Sequence, residues 1–95
     1  MMAEIKVHVE TETQAYACTV TVAEGGSETT HRVTVNKTDY RRLTGGKVPP
    51  ARLVEASFAF LLEREPKESI LRSFNLMTIQ RYFPEYEGQI QQRLS

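Results

Sequence analysis

Three side chains in this sequence carry donor atoms suited to nucleophilic, acid-base or metal chemistry: His8, Cys18 and His31. Imidazole and thiolate bind zinc, and an imidazole held beside a nucleophile serves as a general base. Their settings argue against both uses. His8 lies in Ile5-Lys6-Val7-His8-Val9-Glu10, where apolar and polar residues alternate, so it belongs to the solvent side of a strand. Cys18 falls in the apolar row Tyr16, Cys18, Val20, Val22 of a second alternating run and reads as a small buried hydrophobe. His31 is in phase with Val33 and Val35 of a third run and is expected to cap the rim of the core. On regular strands His8 points away from the face that carries the other two, and no Cys-x-x-Cys or His-x-x-x-His spacing prearranges a site. The chain therefore reads as a non-enzyme, with no catalytic, metal or cofactor-binding residue and no cofactor.

The remaining chemical leads are charged. Thr44-Gly45-Gly46-Lys47 lacks the Gly-x-x-x-x-Gly-Lys-Ser/Thr spacing of a phosphate loop and reads as a helix end followed by a turn. Glu63, Glu65 and Glu68 alternate with Arg64 and Lys67 around a helix break, the pattern of a solvated face. Lys plus Arg and Asp plus Glu number 12 each, so no net field steers the chain toward polyanions. Charge is uneven, however. Residues 36–52 hold Lys37, Arg41, Arg42, Lys47 and Arg52 against Asp39 alone, five positive charges less one negative, and such a cluster can meet phosphates or an acidic partner. The run from Glu68 to Phe83 has the outline of a helix-turn-helix, but Pro84 would stop its second helix too early to lie far along a major groove. Nucleic acid is therefore a possible partner and not the favoured one.

The elements that position these residues follow from hydrophobic period. Residues 5–35 give three strands joined by short polar or Gly-Gly connections, an antiparallel β-meander. From residue 36 the period becomes helical and runs to residue 94. Asn36 is expected to cap a short helix ended by Gly45-Gly46, and Pro49-Pro50 to open a longer one over residues 51–64. Lys67 to Phe74 reads as two helical turns with Ile70, Leu71 and Phe74 inward, closed by Asn75 in a left-handed conformation. Shorter helices follow over residues 76–83 and 84–94, separated by Pro84. The fold class is thus α+β: an N-terminal three-stranded sheet followed by four to five short helices packed on one face, in a single domain over residues 1–95. The rings of Phe74, Tyr82, Phe83 and Tyr86 form a packing corner around Pro84.

A lone cysteine, a start without a basic and apolar leader, and the absence of a long apolar run point to a cytoplasmic protein with no membrane partner. The sheet face opposite the core carries no aromatic ring on which a base could stack. Its residues Ala15, Ala17, Thr19, Thr21, Arg32 and Thr34 make a flat surface suited to a protein partner, and an open edge strand offers the same chain a route to a homodimer. The expected function is a small non-catalytic interaction or regulatory protein that can self-associate; the alternatives are a nucleic-acid-associated protein using residues 36–52 and, third, an enzyme of unknown class, which a deep pocket holding His31 with a carboxylate would favour.

The stretch from Phe60 to Phe74, Phe-Leu-Leu-Glu-Arg-Glu-Pro-Lys-Glu-Ser-Ile-Leu-Arg-Ser-Phe, with Arg-Tyr-Phe-Pro-Glu-Tyr at 81–86, resembles a family of short uncharacterised bacterial proteins. The resemblance implies an α+β fold and a bacterial cytoplasmic origin. It brings no activity and no site residues.

Overall fold

The computed structural model describes residues 3–95; Met1 and Met2, which the single-domain reading includes, lie outside the described residues. Strands β1 (Glu4–Thr11), β2 (Ala15–Glu24) and β3 (Ser27–Asn36) form the expected meander. Both antiparallel registers are uninterrupted, from Glu4↔Ala23 to Thr11↔Tyr16 and from Ala15↔Asn36 to Glu24↔Ser27. Gly25 and Gly26 close the second hairpin with φ of 64° and 81°. Two consecutive positive φ angles give the turn whose twist suits paired strands, and glycine adopts them without strain.

One face of this sheet is the floor of the core. Val20, Val22, Val33 and Val35 are fully buried there, and helix α2 (Pro50–Leu62) lies across β1 and β2. Pro50 sits in the first turn of α2, where no amide hydrogen is needed. Leu53, Val54, Ala56, Ser57, Phe58, Phe60 and Leu61 are all buried, so α2 is covered on nearly every side. A helix apolar around most of its circumference must be sandwiched. Its second neighbour is α4 (Tyr86–Leu94), and α1 (Lys37–Thr44) and α3 (Thr78–Tyr82) complete the helical layer.

The contact between α2 and α4 is specific as well as apolar. Ser57 Oγ donates to the Leu53 carbonyl at 2.8 Å and lies 2.6 Å from the Tyr86 hydroxyl. Serine has one hydrogen to give, so Tyr86 is the donor in the second bond. Phe60 meets the Tyr86 ring edge-on at 5.3 Å and the Phe83 ring at 5.9 Å. The Arg64 guanidinium covers the Phe60 ring 3.6 Å from its centroid, sealing this end of the core with a cation–π contact.

The structure departs from the sequence reading between Pro66 and Pro84. Lys67 to Phe74 is not a helix. A single 3₁₀ turn at Lys67–Ser69 leads into an extended segment, and Ser73–Asn75 is a fourth strand, β4, parallel to β3 with Val33 opposite Phe74. Among the described residues the sheet is therefore four-stranded and mixed, in the order β1-β2-β3-β4, and the helical layer has four α-helices. Leu71, expected inward, is 48% exposed. Asn75 is not left-handed; its side chain accepts the Met77 amide at 2.9 Å, turning the chain from β4 toward α3. Asn36 precedes α1 in extended geometry without a side-chain cap.

Candidate interaction surface

His31 is not at the rim of the core but inside it, fully buried with its ring 5.3 Å from that of Phe58. Nδ1 lies 2.8 Å from the Leu71 carbonyl and Nε2 lies 2.8 Å from Thr29 Oγ1. A carbonyl can only accept, so Nδ1 carries a proton; in the neutral ring, which burial favours, Nε2 then accepts from the Thr29 hydroxyl. Both ring nitrogens are used in structure. Burial is the main cause of a lowered pKa, reinforced by the nearby charge of Arg72 and opposed by the bond to Leu71. A neutral ring with both nitrogens engaged ties β3 to the segment before β4 and leaves nothing to act as a base.

Cys18 is buried on the same face, where desolvation pushes its thiol up to about 11 and suppresses the reactive thiolate. His8 pairs with Thr19 on the opposite, solvent face. Among the described residues, no three His, Cys, Asp or Glu side chains converge as metal ligands.

The basic stretch is partly neutralised. Arg42 bridges Asp39, at 3.0 Å, and Glu87 of α4; Arg52 pairs with Glu55 at 3.1 Å. Lys37 sits 5.4 Å from the centroid of the Tyr16 ring. Arg41 and Lys47 are exposed and make no ion pair among the described residues. Of the carboxylates, Glu63 is held by Arg93 at 2.6 Å and Arg64 at 3.3 Å, and the Arg93 hydrogen bond is the chief cause of its lowered pKa. Glu68 takes the Lys67 ammonium at 2.7 Å.

Glu65 instead borders a groove of about 460 Å³ under β4, lined by Leu61, Ile70, Phe74 and Ile79 with the exposed Leu71 and Tyr82 at its sides. Tyr82 is thus outside the aromatic packing corner that its sequence position suggests; it is 68% exposed. The groove exists because β4 replaces a helix, which is why the helical spacing of Ile70, Leu71 and Phe74 concealed it.

No family model matches the chain, and no curated protein or solved structure matches it either.

The outer sheet face is bare. Register aligns Lys6, Thr21 and Thr30 in one row, His8, Thr19, Arg32 and Ser73 in the next, and Glu10, Ala17, Thr34 and Asn75 in the third. Ala15 lies beside Asn36 at the end of the same face. Thr19, Arg32 and Thr34 are exposed, whereas Ala15, Ala17 and Thr21 are partly buried by their neighbours in the sheet. The six residues singled out in sequence therefore do share one surface.

That face ends at two unequal edges. The β4 edge is three residues long, which limits strand addition. The β1 edge runs for eight residues with no proline and no break in its register. Its apolar row Ile5, Val7 and Val9 is only partly buried, although the adjoining rows in β2 and β3 are covered. Backbone geometry makes this edge available. The Glu12 amide donates to the Ala15 carbonyl at 2.9 Å, so Glu12–Ala15 is a hydrogen-bonded pair. Alternation along the ladder makes Glu10–Ala17, His8–Thr19 and Lys6–Thr21 hydrogen-bonded pairs too. The N–H and C=O groups of Ile5, Val7 and Val9 then point away from β2, along the open edge. Sequence alternation located β1 but could not reveal this, because which strand lies at an edge is a property of topology.

Proposed function

We propose that this chain is a small non-catalytic interaction protein that self-associates through its sheet. The observation that carries the reading is the β1 edge: eight residues whose outward main-chain groups and half-covered valine row form a template for another strand. The inert settings of Cys18 and His31 support it, since the best nucleophile and base candidates serve the core. A bacterial cytoplasmic setting is part of the same proposal. No helix among the described residues is long and apolar enough to cross a membrane.

Sedimentation velocity across a wide concentration range tests this reading. The expected result is a concentration-dependent shift from the 10.9 kDa chain toward twice that mass. A strict monomer at every concentration, with no partner retained on an affinity column, would overturn it.

Phosphate binding by the basic stretch is the second reading, favoured by the exposed Arg41 and Lys47, which make no ion pair among the described residues. It requires measurable affinity for DNA or RNA at low salt, where counterion release contributes most.

A further inference from the structure

We infer that a second copy of this chain pairs antiparallel with β1 in the register that places His8 opposite His8 on a two-fold axis. The inference rests on the self-association reading above and fixes the geometry of the contact.

Ile5, Val7 and Val9 lie on the inner face of β1, and Glu4, Lys6, His8 and Glu10 lie on the outer face. An antiparallel partner that continues both layers must set odd residues opposite odd ones and even opposite even. A register offset by one residue would bring valines against charged groups. Two face-preserving registers overlap seven residues of each β1. One is centred on Val7 and the other on His8.

Charge separates these two. Centring on Val7 puts Glu4 opposite Glu10 twice and Lys6 opposite His8 twice, so no opposed charges attract. Centring on His8 puts Lys6 opposite Glu10 twice, with Val7 opposite Val9 beneath them. The remaining like pair, Glu4 with Glu12, falls outside the overlap because Glu12 is beyond the strand. Opposite charges directly across a sheet stabilise it and like charges destabilise it. In the unpaired chain the ion pair Lys6 makes among the described residues is with Glu4, 3.8 Å away, with both side chains largely exposed.

Shape suits a partner strand at this edge in either register, and charge chooses between them. An open hollow of about 300 Å³ lies beside Val7, between β1 and the start of α2, walled by Pro49 and Ala51 and edged by Arg52 and Glu55. The His8-centred register brings the partner's valine row alongside Val7 at this hollow. It also uses the outward main-chain groups of Val7 and Val9 as a hydrogen-bonded pair. His8 and His8 then form a non-hydrogen-bonded pair, the kind with the shorter separation between side chains.

Cysteine trapping and charge exchange test the register. His8→Cys is expected to oxidise readily to a covalent dimer, whereas Lys6→Cys, which faces Glu10 and not itself, should not. Lys6→Glu should weaken dimerisation by about tenfold, since two attractive pairs become repulsive. The double variant Lys6→Glu/Glu10→Lys should restore it, because the pairs return with their signs exchanged. All four substitutions lie on the solvent face, and circular dichroism confirms that each variant is folded.

A dimer that neither cross-links through residue 8 nor recovers in the double variant overturns this register while leaving self-association standing. A folded wild-type chain that remains monomeric overturns both.

Discussion

Substituting His31 with leucine is expected to lower the unfolding free energy by about 2–4 kcal/mol, measured by urea denaturation. The substitution keeps the volume apolar but strands the Thr29 hydroxyl and the Leu71 carbonyl, each now 2.8 Å from a ring nitrogen. An unsatisfied buried polar group costs about 1–3 kcal/mol. The loss should be felt first in β4, because Leu71 leads into that strand and β4 has only three residues paired to β3. A loss below about 0.5 kcal/mol would show that the histidine does not pin β4.

The same residue gives the wild-type protein a pH dependence of definite sign. The folded His31 has its pKa lowered by burial, whereas the unfolded one titrates near its ordinary value of 6.5. Below that pH the unfolded chain binds more protons than the folded chain, so stability falls as pH falls from 6.5 toward the depressed folded value. Above 6.5 the contribution is fully present. The His31→Leu variant should lack this component, and equal slopes for both proteins would remove His31 as its source.

Tyr86→Ala carries the second large effect, about 3–5 kcal/mol, the range for removing a buried aromatic ring. Tyr86 is fully buried, meets Phe60 edge-on and donates its hydroxyl hydrogen to Ser57, so it joins α4 to α2 by both packing and a hydrogen bond. Tyr86→Phe separates the two contributions. It keeps the ring and should cost only about 1 kcal/mol, since Ser57 still donates to Leu53. Burial raises the phenol pKa above its ordinary 10.0, so the unfolded chain deprotonates first as pH rises past that value. Stability should then fall in the alkaline range for wild type and not through this group in Tyr86→Phe. Denaturation profiles of the two proteins across that range provide the check.

These two buried residues also show how much of the fold was legible in the chain. The three N-terminal strands follow from alternation that no competing signal obscures, and the positions of α1 and α2 follow from Gly45-Gly46 and Pro49-Pro50. Ile70, Leu71 and Phe74 were misleading because helical spacing is also produced by an extended segment with one residue inward, one outward and a strand beyond. What decides between them is tertiary: β3 has a free edge, and His31 offers an N–H to a carbonyl 40 positions away. No local pattern contains that information. The outer face was readable from the same alternation as the core, with Ala17, Thr19, Thr21, Arg32 and Thr34 in phase. The β1 edge was not, since pairing order and the direction of each amide emerge only once the strands are assembled.

The amides of β1 report most directly on whether that edge is the protein's binding surface. Hydrogen exchange followed by nuclear magnetic resonance resolves Ile5, Val7 and Val9, whose N–H groups face away from β2, from Lys6, His8 and Glu10, whose N–H groups face it. In dilute solution the first set should exchange fast and the second slowly. At concentrations where sedimentation shows the dimer, Val7 and Val9 should become as protected as their neighbours. If the dimer forms while these amides continue to exchange as in the monomer, the contact lies elsewhere and the β1 account is wrong.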